Sequence, residues 1–581
     1  MFRIASIFLL VLTFYSGLTY GSSLEYSVTG VRSELRENIE AWLGAAPETP
    51  AERSNFVASV EGNVRQSVKA LGYYRPDIDI VIDKSSSPWS MIVAVTPNEP
   101  VRITQIDVAI AGEAKDDPEF IALLASLPFA AGDILHHGVY DGFKKQLIAL
   151  GQRRGYFDGV ISRNRVTVNA DQHSVNITLH MSSGVRYRFG EVSMDEGLMD
   201  MRWVESLMHI QPGDLFDMSA LQKLRSELQQ TRYFSSVSVR AEVENLANGL
   251  VPISVTLAPV NRHSIEVGVG FSTDTQERIS LTWRTPLINR YGHSQETRLE
   301  YSTINPRGRF TYNIPLSHPL NDVLQLSAYL EDNEYGDLES NQKGVRVRRE
   351  MRKGKWIASY SARTLDESWE LQQVHRDNSY VLPGASLSHK SRSGSLVDPE
   401  AGLHQAYYAE GGHEDIGSDI NLFRIYSNFR FVAPLSARQR LVARAELGAV
   451  FISSGDRGDL APSLSFFAGG SQSIRGFSYQ SIGNEVLVEG PDGVSRSVTV
   501  GGDRLVTASL EYQYYVTDTW RGALFADAGD AFDEGDFDAK YGAGVGVHYM
   551  SPVGAIRLEL ARDISEDSPS WRVHINIGAE F

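Results

Sequence analysis

Cysteine is absent from all 581 residues, which excludes disulfides, thiolate metal sites and cysteine nucleophiles together. Positive charge is scarce: 55 Lys and Arg stand against 72 acidic residues, a formal net charge of −17. So acidic a balance argues against non-specific nucleic-acid binding, which depends on basic patches. No apolar run reaches the roughly 20 residues that a membrane-spanning helix needs. Catalytic signatures are missing too: there is no Gly-x-Ser-x-Gly, no His-Glu-x-x-His and no phosphate-binding Gly-Lys-Ser/Thr. The 14 His are scattered, and the pair His136-His137 has no ligand set around it. No catalytic residue, metal or cofactor is therefore expected. What remains, 42% hydrophobic and 22% charged residues, is the composition of a folded chain, and its length points to about three or four domains.

The N-terminus carries Arg3, an apolar run from Ile4 to Tyr15 and the small residues of Ser16–Ser23. This layout predicts a secretory signal peptide over residues 1–21. A disulfide-free exported protein suits the bacterial envelope.

Between about Leu24 and Val260 one arrangement recurs three times. A helical stripe (Phe56, Val60, Val64, Val68) leads into Leu71-Gly72-Tyr73-Tyr74 and the alternating Ile78, Ile80 and Ile82. Tyr140, Phe143, Leu147 and Leu150 lead into Arg154-Gly155-Tyr156-Phe157 and then Val175, Ile177, Leu179 and Met181. Leu221, Leu224 and Leu228 lead into Thr231-Arg232-Tyr233-Phe234 and then Val237, Val239, Ala241 and Val243. The tyrosines at 73, 156 and 233 are spaced 83 and 77 residues apart, the size of small α/β domains in series. The aromatic pairs read as core packing and serve as register marks. The expected domains are 22–99, 100–183 and 184–260.

From about Asn261 the helical period disappears. Ile265, Val267, Val269 and Phe271 alternate with small or polar residues, as do Leu441–Phe451, Val506–Tyr514, Tyr541–Tyr549 and Trp571–Phe581. Segments of about ten residues with one apolar face suit a transmembrane β-barrel, the one sheet that leaves no unpaired edge in lipid. Trp520, Tyr515, Tyr549 and Trp571 near strand ends read as an interfacial girdle, and the Gly-rich polar face as a wet lumen. At about twenty residues per strand and loop, 261–581 predicts sixteen strands. Asp332–Gln342, Ser391–Glu400 and Glu489–Arg496 read as loops.

The segment Ser471-Gln472-Ser473-Ile474-Arg475-Gly476-Phe477 follows the strand-like Ser463–Phe467. Downstream come Glu511, Phe525-Ala526-Asp527-Ala528-Gly529, the Gly542/Gly544/Gly546 strand, Ser551-Pro552-Val553-Gly554 and a terminal Phe581. This order resembles the Omp85 superfamily of outer-membrane assembly and secretion barrels, and the three repeats resemble its periplasmic POTRA domains. Three such domains on sixteen strands most resemble the branch of the translocation and assembly module, the TamA type. The fold class expected is α+β repeats followed by a transmembrane β-barrel.

By elementary chemistry, an Arg on a loop folded into a barrel needs a carboxylate, and Asp527 and Glu511 lie on lumen-facing parity. The resemblance implies that Arg475 meets Asp527, with Glu511 a second partner, while Ile474, Gly476 and Phe477 complete the motif. Gly268 and Gly270 in the first strand and Gly578 in the last would weaken a lateral seam, the gate through which, by resemblance, client barrels and autotransporter domains pass. Phe581 resembles the C-terminal insertion signal. The resemblance further implies a bacterial outer-membrane location, a monomeric barrel among outer-membrane lipids, unfolded outer-membrane client proteins, and a TamB-like inner-membrane-anchored periplasmic partner. A two-partner-secretion transporter passing substrate through the lumen is the alternative.

Overall fold

A helix with one apolar stripe and a strand with one apolar face satisfy each other by burial, and the N-terminal repeats are built on this pairing. The computed structural model of the protein describes residues 23–194, 200–371, 374–395, 398–489, 494–551, 554–565 and 570–578. The expected signal peptide and Phe581 lie outside these residues.

The first repeat runs β1 (Leu24–Thr29), α1 (Ser33–Leu43), α2 (Pro50–Ala70), β2 (Asp77–Asp83) and β3 (Trp89–Thr96), with sheet order β1-β3-β2. A capping box starts α2: the Thr49 hydroxyl accepts from the Glu52 N–H at 3.3 Å, and the Glu52 carboxylate accepts from the Thr49 N–H at 3.3 Å. Val60, Val64 and Val68 then bury against Met91, Val93 and Val95. The second repeat runs β4 (Arg102–Ala111), α3 (Pro118–Ala125), α4 (His137–Arg154), β5 (Val160–Asn169) and β6 (Ser174–Ser182), in the order β4-β6-β5. Its four α4 stripe residues pack on Val175, Ile177, Leu179 and Met181. The third comprises β7 (Arg188–Met194), α5 (Met201–Leu207), α6 (Met218–Gln230), β8 (Phe234–Ala241) and β9 (Leu250–Pro259), in the order β7-β9-β8. Val243, expected to continue β8, lies past its end and is exposed, because it falls in a turn closed by the Asn245 N–H on the Glu242 carbonyl at 3.0 Å.

The chain divides into two compact units, Met1–Val192 with Ile210–Leu221 and Arg240–Ile253, and Ser193–His209 with Gln222–Val239 and Ser254–Phe581. The residues expected as a third domain are distributed between them.

Within the first unit the register marks have a second purpose. Gly72 and Gly155 follow their helices at φ 92° and 87°, and their carbonyls accept from Val101 N–H and Tyr187 N–H, each at 2.9 Å. A Cβ on Gly72 would lie 2.6 Å from the Leu135 carbonyl, and one on Gly155 2.8 Å from Phe216 Cβ. Glycine is therefore required by both backbone conformation and close approach. Beside the second mark, buried Asp117 caps α3 and accepts from Arg154 at 3.1 Å, Arg186 at 3.4 Å and the Tyr156 hydroxyl at 3.2 Å. Burial, with the Asp117 charge next, pushes the Tyr156 hydroxyl up to about 12.

The His136-His137 pair is structural. His136 Nδ1 accepts from the Val139 N–H at 3.2 Å as the cap of α4, and His137 Nε2 sits 2.7 Å from the Tyr74 hydroxyl. Burial holds the His137 imidazole below its ordinary value of 6.5. The unfolded chain therefore takes up the proton first, so stability is fully present above 6.5 and falls as pH drops toward the folded value. Thermal unfolding from about pH 7.5 to 5 should show this loss, and His137→Asn should flatten that part of the profile. An unchanged profile in the variant would contradict the assignment.

The second unit carries a closed barrel. Its first strands are β10 (Ser264–Ser272), β11 (Gln276–Thr285), β12 (Ser294–Ser302), β13 (Arg307–His318), β14 (Asp322–Tyr335) and β15 (Leu338–Lys353). There follow β16 (Trp356–Leu371), β17 (Val374–Gly394), β18 (Pro399–Gly412), β19 (Leu422–Ser436) and β20 (Gln439–Ile452). A small hairpin, β21 (Glu485–Glu489) and β22 (Ser495–Thr499), stands apart before β23 (Arg504–Tyr515), β24 (Trp520–Phe532), β25 (Lys540–Ser551), β26 (Gly554–Asp563) and β27 (Trp571–Gly578). Without the hairpin, β10 to β27 form one antiparallel ring of sixteen strands.

Four expectations are corrected here. Much of Asp332–Gln342 and Ser391–Glu400 is strand, not loop: β14 and β15 meet at a tight turn, and β17 runs for 21 residues. The ladder bonds of a hairpin need no apolar face once it leaves lipid, so hydropathy underestimates its length. Tyr515 belongs to the lumen face, where its hydroxyl donates to Asp398 at 2.8 Å; Trp520 and Tyr549, paired in register, do face outward with rings 4.9 Å apart. The lumen is not uniformly wet. Ser463–Phe467 is not a strand: Pro462–Leu464 forms a helical turn, and Leu464, Phe466, Ile474 and Phe477 pack with Trp369, Tyr380, Leu382 and Leu422 into an apolar core inside the barrel.

Candidate functional site: an arginine clasp in the barrel lumen

The segment between β20 and β23 folds inward, and each residue of Ile474–Phe477 has a distinct setting. Ile474 and Phe477 belong to the apolar core and hold the loop by burial. Gly476 adopts φ 101°, and a Cβ there would lie 2.7 Å from the Asp563 nitrogen. Its N–H donates to His574 Nε2 at 3.2 Å.

Arg475 is 1% exposed. Its Nε and Nη2 donate to the two Asp527 oxygens at 2.7 and 2.9 Å, a bidentate fork, and its backbone N–H adds a third bond to Asp527 at 3.0 Å. Nη1 donates to Glu511 at 2.6 Å and to Glu559 at 3.2 Å, and Nη2 to the Ser509 hydroxyl at 3.2 Å. The guanidinium carbon lies 3.4 Å from the centroid of the Phe525 ring, a cation–π contact on its remaining face. The structure thus brings Arg475, Asp527 and Glu511 together, sets the motif residue Phe525 against the guanidinium, and adds Glu559, Ser509 and His574, which stand in no sequence motif. Strand parity carries that information: Ile556, Leu558 and Leu560 face outward, which turns Glu559 inward.

Glu511, His548 and Glu559 have ligand atoms within 4.8 Å of one another, a spacing a metal could use. Arg475 Nη1 donates into the same space, so the cation that satisfies these acids is the arginine.

The clasp rests on a tight backbone approach. A Cβ on Gly542 would overlap the Arg475 carbonyl oxygen, whereas one on Gly522 would meet nothing within 4 Å. Gly542→Ala should therefore unseat the loop with every charge retained, read as new protease cleavage within 462–484. Gly522→Ala should leave the loop protected. Equal protection in both variants would contradict the packing.

Closer to the seam, the Ser471 N–H and hydroxyl donate to Asp274 at 2.8 and 2.6 Å, and the same hydroxyl lies 3.2 Å from Asn576 of β27. The loop is thereby tied to both ends of the ring. Among the described residues β10 and β27 share two register pairs, Phe271↔Ile577 and Ser272↔Asn576, whereas β12 and β13 share seven and β26 and β27 eight. Upstream of the junction, Ile265, Val267 and Val269 are 68%, 66% and 82% exposed. Gly268 and Gly270 are opposite Ser280 and Arg278 of β11, and Gly578 is opposite Ala555 of β26. Gly270 and Gly578 also adjoin the last described β10–β27 pair, Phe271↔Ile577, and a Cβ on Gly270 would lie 4.0 Å from the Ile577 carbonyl oxygen.

Comparison with known proteins matches two parts of the chain. The Omp85 superfamily domain fits residues 261–581, and the POTRA domain described as TamA domain 1 fits residues 25–97. The outer membrane protein assembly factor BamA of Nitratidesulfovibrio vulgaris is 24% identical over 443 residues, covering 72% of this chain and 54% of that protein. The chain spans about half the length of that curated relative. The crystal structure of BamA from Haemophilus ducreyi lacking POTRA domains 1–3 superposes with a TM-score of 0.69 at 17% identity, covering 83% of this chain and 100% of that one, which establishes the shared fold. The superfamily match takes in more than half of the sequence and all of the barrel: the chain belongs to the Omp85 superfamily, with its barrel in the bacterial outer membrane and its N-terminal POTRA region in the periplasm.

Proposed function

We propose that this protein is a non-enzymatic outer-membrane assembly factor of the TamA type, which inserts β-barrel clients, autotransporter domains among them, through the seam between β10 and β27. The observation that carries the reading is that, among the described residues, the β10–β27 junction holds two register pairs in an otherwise well-laddered ring. A short junction leaves backbone donors and acceptors of β10 for an incoming strand, and strand addition is an effective mode of recognition because the main chain supplies the bonds. The match of residues 25–97 to TamA domain 1 supports the branch. The N-terminal domains would recruit a TamB-like inner-membrane-anchored periplasmic protein, and the barrel would act as a monomer among outer-membrane lipids. The lumen route of a two-partner-secretion transporter is disfavoured, because substrate would have to evict the Arg475 loop and the apolar core around Ile474 and Phe477.

Removing the gene and measuring surface-exposed autotransporter domains tests the proposal. Their loss, with restoration by the full chain, is expected; unchanged amounts would contradict it.

A further inference from the structure

Away from the clasp, the wall of β12–β19 has more cation than its acids can pair. Two recesses of about 280 and 410 Å³ open onto the lumen there and share Arg346 and Arg348 in their walls. Arg309 lines the first, and Arg363 and Arg424 the second; the only carboxylates in the walls are Glu296 and Glu410.

Both acids are committed. Glu410 accepts from Arg363 at 3.0 and 3.1 Å and from Arg424 at 3.3 Å. Glu296 accepts from Arg284 at 2.6 Å. Arg348 reaches Glu350 at 3.3 Å, outside both recesses. Among the described residues, Arg309 and Arg346 have no hydrogen-bond acceptor and no carboxylate within reach, and Arg346 Nε is enclosed without a partner. The strand register aggravates this. Arg346 lies directly opposite Arg363, and Arg309 directly opposite Arg298, whereas like charges facing across a ladder destabilise it. Hydroxyls of Thr311 and Ser327 sit at the floor of the first recess, 3.2 Å apart.

We propose that this wall is a binding site for a phosphate-class anion held by Arg309, Arg346 and Arg348. A tetrahedral dianion presents enough oxygens for the Arg346 fork and a second guanidinium at once, and planar guanidinium groups match that geometry. It would relieve the like-charge pairs from the side of Arg346 and Arg309, since Glu410 and Glu300 serve their opposite members, Arg363 and Arg298. The source is either a free phosphate of the periplasm or the headgroup of a phosphorylated lipid, and the recognition chemistry is the same.

The test uses the purified full chain. Calorimetric titration in neutral detergent with inorganic pyrophosphate reports the free source. Native mass spectrometry from nanodiscs with or without phosphatidic acid reports the lipid source. Saturable binding of either probe is expected, weakened at least tenfold by Arg309→Gln and by Arg346→Gln. Arg346→Lys, which keeps the charge but not the fork, is expected to fall between wild type and Arg346→Gln, and it decides the matter if a glutamine variant fails to show heat-modifiable migration. Binding of neither probe, wild-type binding in these variants, or acetate binding as tight as pyrophosphate would overturn the proposal.

Discussion

Arg475→Ala is expected to release the inward loop and abolish client insertion while the barrel still forms. The substitution removes the shared donor of Asp527, Glu511 and Glu559, three carboxylates that are 0%, 9% and 4% exposed in their side chains. Breaking a buried ion pair by deleting one partner costs about 3–5 kcal/mol, a factor of roughly 150 to 5,000 in the seating of the loop. Arg475→Lys should recover only part of this, because an ammonium cannot make the Asp527 fork and reach Glu511 and Glu559 together. The geometry also predicts that exchanging the charges fails: the double substitution R475D/D527R would set a carboxylate beside Glu511 and Glu559. Limited proteolysis of 462–484, heat-modifiable migration and client insertion in proteoliposomes measure the three consequences. A protected loop and full insertion in Arg475→Ala would contradict the role assigned to the clasp.

Locking the seam should have an effect of the same size by a different route. Phe271 and Ile577 face each other in the short β10–β27 register, and Phe271→Cys with Ile577→Cys places two thiols within bridging distance across an antiparallel pair. The chain has no cysteine of its own, so no competing bridge can form. Oxidation should stop insertion and reduction should restore it. Leu281→Cys with Leu299→Cys, opposite each other in β11 and β12, supplies a bridge elsewhere in the wall that should leave insertion unchanged. Full insertion with the Phe271–Ile577 bridge closed would contradict lateral release.

Legibility in the sequence tracked the physics of each feature. The stripes of α2, α4 and α6 were readable because one buried face repeats every three or four residues, whereas α3 and α5, of 8 and 7 residues, are too short to display a period. Strand positions were readable from alternation, but strand ends were not, because β17 continues beyond lipid with polar residues on both faces. Asp527 and Glu511 could be nominated from parity and resemblance together. Glu559 obeyed the same parity but stood in no quoted motif, and no local pattern reports that an arginine 84 residues upstream reaches it. The apolar core around Ile474 was hidden for the same reason: its members come from strands and a loop far apart in sequence. Of the seam glycines, Gly270 and Gly578 flank the last described β10–β27 pair, Phe271↔Ile577, whereas residue type alone does not say how many pairs that junction holds.

Photocross-linking of a client during insertion measures the central claim most directly. A photoreactive residue replaces Val269, on the outward face of β10 beside the junction, or in a second variant Ser327, on the lumen wall of β14. Lateral insertion predicts client adducts from position 269 and none from 327; adducts from 327 alone would mean that the client travels through the lumen.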